Sequence, residues 1–524
     1  MSALSGVPTA ERAVVVLSHL SVRARGTEHP LVDDVGFELR RGECLAIVGE
    51  SGAGKSLTAR ALLGLLDRRL EVDIGGLSIE GIDLTGASAA GWRRVRGRRI
   101  ALIHQDALVS LDPLRRVEAE VAEAMTEHRL VPRQKRPGRV LQLLESSGIP
   151  DPEGIVRRFP HQLSGGQRQR ALIASALSGQ PGVLVADEPT TALDTRTQDQ
   201  LLRTLRERVD GGDALLLVTH DLSVVAGIAD RVIVMAGGRI VETGAAAAVL
   251  SAPKHDYTRK LLDAVPKPRQ GRAPARAASA PVLSVRGIGV RLGAAREAPP
   301  TLDSVSFELG SAETLGVVGE SGAGKSTLAR VILGLVRPET GEVRFEGIEW
   351  NGPQVRERDR RRLRQRMQFI PQDPLSSFDP RYSAARVISE GLPGGLSAGE
   401  RRHRVSELVE RVRLDTGLLD RSPRDLSGGQ RQRLAIARAL APAPSLLIAD
   451  EPTSALDVTV QAEILDLLDT IREEQGTSLL LITHDLGVVR RMCDRVLVLR
   501  AGKVAESGPA DEVIARLSPE PSRL

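Results

Sequence analysis

The sequence predicts two tandem α/β domains, each with a mainly parallel sheet core and a helical insertion. Three observations predict it. GESGAGKS stands at 49–56 and again at 319–326. Four further motifs follow in the same order in both halves. Short continuous apolar runs alternate with helical patterns, as strands buried on both faces of a parallel sheet do.

The repeat sets the domains. After the glycine-rich motif come HQD (104–106) and PQD (371–373), then LSGGQRQR at 163–170 and 426–433. ADEPT at 186–190 and 449–453 and THDL at 219–222 and 483–486 complete the series. The offset between copies starts at 270 residues and drifts to 263, so most of the length difference lies between the first motif and LSGGQ. A chain of 524 residues exceeds what one ordinary core supports. The expected domains are 1–265 and 282–524, with helical insertions at about 107–181 and 374–442. PKPRQGRAPARAASAP (266–281), without apolar period, reads as an exposed linker.

Composition narrows the function classes. No apolar run is long enough to span a bilayer and no secretory leader is visible, so any membrane part must come from other chains. Cys44 and Cys493 are too few and too distant for a zinc or iron–sulfur site and read as reduced thiols, which fits a cytosolic setting. The net charge of +5 is arginine-driven, in RRVRGRR (93–99) and RRRLRQR (360–366). Without interleaved aromatics to stack on bases, these read as solvated helix faces, and no nucleic-acid partner is expected.

Each element in turn then acquires a chemistry. CLAIVGE (44–50) and TLGVVGE (314–320) are strands that end at glycine and lead through a turn into amphipathic helices. GxxxxGK[ST] in that setting is a phosphate-binding loop. Gly49, Ser51, Gly52 and Gly54, with Gly319, Ser321, Gly322 and Gly324, let backbone N–H groups surround phosphate oxygens. Lys55 and Lys325 would neutralise the β- and γ-phosphates, and Ser56 and Ser326 would offer hydroxyls to Mg²⁺. Asp187 and Asp450 end apolar strands as Mg²⁺-directed carboxylates. Glu188 and Glu451, one residue on, are the candidate bases for an attacking water. His220 and His484 close neighbouring strands as candidate γ-phosphate contacts. Gln105 and Gln372 are candidates for Mg²⁺ or the water.

Phosphate loop, glutamine, LSGGQ, DE, ALD and THD, in that order, resemble the nucleotide-binding domain of ABC ATPases across almost all of both halves. The resemblance implies two tandem P-loop NTPase (ABC-type) domains, each with an antiparallel β subdomain beside the parallel sheet. It implies ATP and Mg²⁺ as ligands and head-to-tail pairing of the two domains within the chain. One composite site would join Lys55, Ser56, Gln105, Asp187, Glu188 and His220 to Ser427, Gly428 and Gly429. The other would join Lys325, Ser326, Gln372, Asp450, Glu451 and His484 to Ser164, Gly165 and Gly166. Asp194 and Asp457, in TALD and SALD, resemble the aspartates that link such sites. Both sites carry every motif, so both are expected to hydrolyse ATP.

Narrower features are similar to the dipeptide, oligopeptide and nickel uptake branch: FPHQLSGGQRQR (159–170), QDPLSSFDPR (372–381) and HDYTRKLLDAVP (255–266). That branch implies an energy-coupling ATPase on the cytoplasmic face of the cell membrane. Its partners would be two non-identical permease subunits and, through them, an extracytoplasmic solute-binding protein. Two departures stand out. The adenine-stacking aromatic of the family should fall near Ala24 and Leu292, and no cysteine-rich tail follows HDYTRKLL, so no iron–sulfur cluster is expected. A fused sugar-importer ATPase and a soluble tandem ATPase acting on ribosomes or DNA are the alternatives. Neither a degenerate site, a long charged helical linker nor zinc cysteines speak for them.

Overall fold

The computed structural model describes residues 13–27, 29–104, 110–190, 195–266, 280–292, 300–320, 322–361, 363–454 and 456–517. The chain divides into two compact units, whose main bodies are Met1–Val265 and Pro266–Leu456 with Val460–Pro521. Each unit is described by itself.

The first unit is built on a six-stranded sheet in the order Arg239–Ala245, Arg231–Ala236, Cys44–Val48, Ala214–Val218, Val183–Asp187 and Ile100–Ile103. All neighbours are parallel except the edge pair Arg231–Ala236 and Arg239–Ala245. A separate antiparallel sheet of five strands is centred on Ala13–Ala24 and Leu70–Ile79. The continuous apolar runs are explained by burial on both faces. Val183, Val185, Leu216 and Val218 pack with Leu17, Leu20 and Leu77 of the antiparallel sheet. Their alternates Leu184, Ala186, Leu215 and Leu217 pack with Val121, Leu144 and Ile173 of the helical insertion. A strand with no solvent side has no polar alternation to show.

The second unit repeats the plan, with strand order Met367–Ile370, Leu446–Asp450, Ser478–Ile482, Thr314–Gly319, Arg495–Arg500 and Lys503–Pro509. Its antiparallel sheet has four strands, Leu302–Leu309, Leu283–Val290, Thr340–Phe345 and Ile348–Asn351. Leu446 and Ile448 face that sheet, and Leu447 and Ala449 face the insertion.

The insertions differ as their sequences do. The first runs through the helices Val117–Val121, Glu123–Glu127, Arg136–Ser146 and Pro152–Val156 before Gly165–Leu177. The second uses Ala384–Gly391 and Ala398–Arg411 before Gly428–Leu440.

The arginine runs are not simply solvated faces. Arg96 donates to the carbonyls of Leu63 and Gly64, and Arg360, which is 7% exposed, donates to the carbonyl of Gly334. These carbonyls follow the helices that leave the phosphate-binding loops, where backbone acceptors lack intrahelical partners. One guanidinium in each unit therefore seals a helix end, while the other described arginines of the two runs are exposed. Cys44 and Cys493 are both buried free thiols. Among the described residues, no helix is long and apolar enough to cross a membrane.

Candidate functional site

Parallel strands deliver their C-terminal ends to one edge of a sheet, and the register fixes which residues meet there. Val218 pairs with Ile47 on one side and with Asp187 on the other. Ile482 likewise pairs with Val317 and Asp450. The glycine loop, the aspartate–glutamate pair and the histidine therefore emerge side by side in each unit, at the edge where α/β sheets bind ligands.

The loop needs glycine for steric reasons at two positions. Gly49 has φ 153° and Gly54 has φ 93°. A Cβ at Gly49 would lie 2.2 Å from the carbonyl oxygen of Met235, and one at Gly54 would lie 2.8 Å from that of Leu31. Gly319 and Gly324 repeat the geometry against the carbonyl oxygens of Leu499 and Thr301. Ser51 and Gly52 form the exposed outer turn, with Gly322 at the equivalent place.

Lys55, 6% exposed, folds back over the loop and donates to the carbonyls of Gly49 and Glu50, both at 2.8 Å. Burial holds its ammonium below the ordinary lysine range, against the pull of Glu188. Lys325 makes the same contacts to Gly319 (2.7 Å) and Glu320 (3.1 Å). A buried cation resting on loop carbonyls can exchange them for phosphate oxygens.

Ser56 Oγ donates to Asp187 Oδ1 at 2.8 Å, and Arg60 Nε lies 4.0 Å from the other carboxylate oxygen. Asp187 is 2% exposed, and burial pushes its carboxyl above the ordinary range despite the Ser56 hydrogen bond. Asp450 is raised for the same reason, again against a hydrogen bond from its serine, Ser326.

The next residue turns sharply. Glu188 and Glu451 take φ of 48° and 47°, and their N–H groups bond to the carbonyls of Val218 and Ile482, both at 2.8 Å. His220 Nδ1 lies 3.3 Å from Glu188 Oε1, and His484 Nδ1 lies 3.1 Å from Glu451 Oε1. In the second unit Gln372 Nε2 donates to the remaining carboxylate oxygen of Glu451 at 3.0 Å. Burial alone would raise the Glu451 carboxyl, but the His484 hydrogen bond and charge, with Lys325, hold it below the ordinary range. Its partner His484 is raised, first by that hydrogen bond.

The histidines are held by their own motif. Thr219 Oγ1 accepts from Asp221 N–H, and Asp221 caps the helix Leu222–Ile228 through the N–H groups of Ser223 and Val224. Thr483 and Asp485 do the same for Leu486–Met492.

LSGGQRQR divides into two functions. Ser164 and Ser427 are the N-caps of the thirteen-residue helices Gly165–Leu177 and Gly428–Leu440. Each hydroxyl accepts the N–H of the motif glutamine at 3.3 Å, and that glutamine's side chain accepts the serine N–H. This capping box leaves Gly165, Gly166, Gly428 and Gly429 in the first turn, where the helix dipole favours an anion.

The second half of the motif anchors the helix. Gln169 Nε2 donates to the carbonyl of Pro189, one residue beyond Glu188. Arg170 reaches the carbonyl of Gly148, and buried Arg433 bonds Val412 O and pairs with Glu463.

The structure thus brings together lysine, serine, aspartate, glutamate and histidine in each unit. Gln105, Asp194 and Ser321 lie outside the described residues. Ala24 ends its strand and Leu292 is half exposed, so neither offers an aromatic face.

One contact was invisible to motif reading. The hydroxyl of Tyr257, on the helix Asp256–Asp263, accepts the N–H of Glu50 inside the first loop at 2.9 Å. Its only sequence signal was membership of HDYTRKLL.

Residues 32–191 and 302–454 match the ABC transporter family, and residues 241–286 match the oligopeptide/dipeptide transporter C-terminal region. The chain is 41% identical over 526 residues to the uncharacterized ABC transporter ATP-binding protein YejF of Escherichia coli K12, covering 98% of each. It is 41% identical to the peptidoglycan transport ATP-binding protein YejF of Agrobacterium fabrum, over 94% of this chain and 91% of that one. It is 42% identical to the glutathione import ATP-binding protein GsiA of Shigella sonnei, over 91% and 83%. The archaeal ribosome recycling factor aABCE1, solved with the ribosomal stalk protein aP1, covers 95% of this chain and 91% of its own. Its TM-score is 0.66 at 20% identity, a likeness of fold alone. The chain therefore belongs to the ABC transporter family as a tandem ATP-binding protein that carries the oligopeptide/dipeptide transporter C-terminal region.

Proposed function

We propose that this chain is the ATP-hydrolysing, energy-coupling subunit of an importer for peptides or a related small solute. The observation that carries the reading is the recurrence, in both units, of an oriented glutamate beside a lysine folded onto its glycine loop and a serine–aspartate pair. The peptidoglycan transport and glutathione import named for its relatives, together with the oligopeptide/dipeptide transporter C-terminal region at 241–286, support the substrate class.

In each site the lysine, Lys55 or Lys325, leaves the loop carbonyls for the β- and γ-phosphates. Glu188 or Glu451 accepts a proton from water as its oxygen bonds to the γ-phosphorus and the bond to the bridging oxygen of ADP breaks. His220 or His484 aims that carboxylate and reaches the γ-phosphate, and Gln372, with Gln105 as its counterpart, orients the water.

The donor set fits Mg²⁺. A hydroxyl and one carboxylate, with phosphate oxygens and waters completing the shell, suit a hard cation, and the buried, raised carboxyls of Asp187 and Asp450 gain from one. Among the described residues no three His, Cys, Asp or Glu cluster into a cage. Bound there, Mg²⁺ supplies charge neutralisation on the phosphates; Ser56, Asp187, Ser326 and Asp450 would hold it.

Each signature segment serves the opposite loop: Ser427, Gly428 and Gly429 face the nucleotide on Lys55, and Ser164, Gly165 and Gly166 that on Lys325, with Asp194 and Asp457 linking the two. Pairing of the halves around ATP drives two permease subunits from the cytoplasmic side of the membrane, with a solute-binding protein delivering cargo. Domains 1–265 and 282–524 joined through 266–281 supply both ATPases. The test is ATP-dependent uptake of labelled di- and tripeptides into vesicles carrying the permeases and this chain. Uptake that needs the chain and ATP is expected; equal uptake without either would overturn the proposal.

A further inference from the structure

We infer that Tyr257 is a positioning residue for the phosphate-binding loop of the first site, so that the segment around it supports ATP binding at Lys55. The inference rests on the reading of that loop as an ATP site.

Glu50 is held from both sides. Its N–H donates to Tyr257 Oη at 2.9 Å, and its carbonyl accepts Lys55 Nζ at 2.8 Å. The lysine must leave that carbonyl when phosphate arrives. The tyrosine need not, so it remains a fixed point for the loop through the exchange.

The hydroxyl is aimed by packing. The half-buried ring lies against a cluster containing Ala46 and Val48, the strand that feeds the loop, with Val232 and Val234 of the next strand. Leu261 of the same helix is buried in that cluster. The helix start is fixed as well. Glu242 accepts the N–H groups of Lys254 and His255, and His255 Nδ1 accepts the N–H of Tyr257. Burial pushes the phenol above its ordinary range, so it stays protonated and neutral.

An ordered loop loses less conformational entropy on binding than a loose one. Removing the hydroxyl should therefore weaken ATP binding and raise KM more than it lowers kcat. HDYTRKLL occurs once in the sequence, so the effect should be confined to the Lys55 site.

The test measures equilibrium binding of radiolabelled ATP with Mg²⁺ to the full chain, in two backgrounds. With Lys325→Ala, leaving the Lys55 site to load, Tyr257→Phe should weaken binding about two- to tenfold, the range of one hydrogen bond. With Lys55→Ala, the same change should leave binding at the Lys325 site unaltered. Phenylalanine keeps the ring packing, and an unchanged melting temperature separates positioning from loss of structure. Unaltered binding in the first background, or equal weakening in both, would overturn the inference while leaving the ATP site standing. Absence of ATP binding in the Lys325→Ala chain would overturn the ATP-site reading and this inference with it.

Discussion

His484 Nδ1 stands 3.1 Å from Oε1 of Glu451, and the other unit repeats the pair as His220 and Glu188 at 3.3 Å. Both glutamates adopt left-handed backbone, at φ 47° and 48°. Such a conformation costs a non-glycine residue about 1–2 kcal/mol. Strain at the same residue in both units, each time aiming a carboxylate at a histidine, is the pattern of a site ordered ahead of its reaction.

Freeing the carboxylate should therefore slow the reaction. His220→Ala combined with His484→Ala is expected to lower phosphate release by about 10²-fold, as misplacing a reacting group does, with a smaller loss of ATP affinity. Steady-state phosphate release beside equilibrium ATP binding checks the two effects separately.

The loop glycines should differ in what they tolerate. Gly52, at φ 82°, has open space where a Cβ would sit, whereas Gly54 at φ 93° would meet Leu31 O at 2.8 Å. Gly52→Ala should cost about 1–2 kcal/mol of backbone strain. Gly54→Ala should cost more and displace the loop, so its urea midpoint and its ATP affinity both fall further.

The proposed pairing of each signature with the opposite loop gives a directional expectation. Ser427→Arg places bulk and charge in the first turn of Gly428–Leu440. It should lower nucleotide trapping at the Lys55 site and spare the Lys325 site. Photolabelling with an azido-ATP followed by peptide mapping reads each loop separately.

The sheet and most of the site were legible because they are local. Apolar runs such as VLVAD and LLIAD are strands buried on both faces, and GESGAGKS, ADEPT and THD each place their groups within a few residues. What escaped depends on distant partners. Tyr257 meets Glu50 across 207 residues, Arg96 seals Leu63 and Gly64, and Gln169 reaches Pro189. No periodicity marks such pairs. The arginine runs misled for that reason: a guanidinium bound to a buried helix end is indistinguishable in sequence from its solvated neighbours. The repeated QRQR half of the signature has no evident chemistry in the sequence, whereas in the structure Arg433 binds Val412 O and Glu463.

Turnover of a chain carrying both Glu188→Gln and Glu451→Gln tests the central claim most directly. The amide keeps the shape and removes the proton acceptor, so phosphate release should fall at least about 10²-fold, while ATP still binds. Near-normal phosphate release from that chain would contradict the assignment of these two carboxylates and the account built on them.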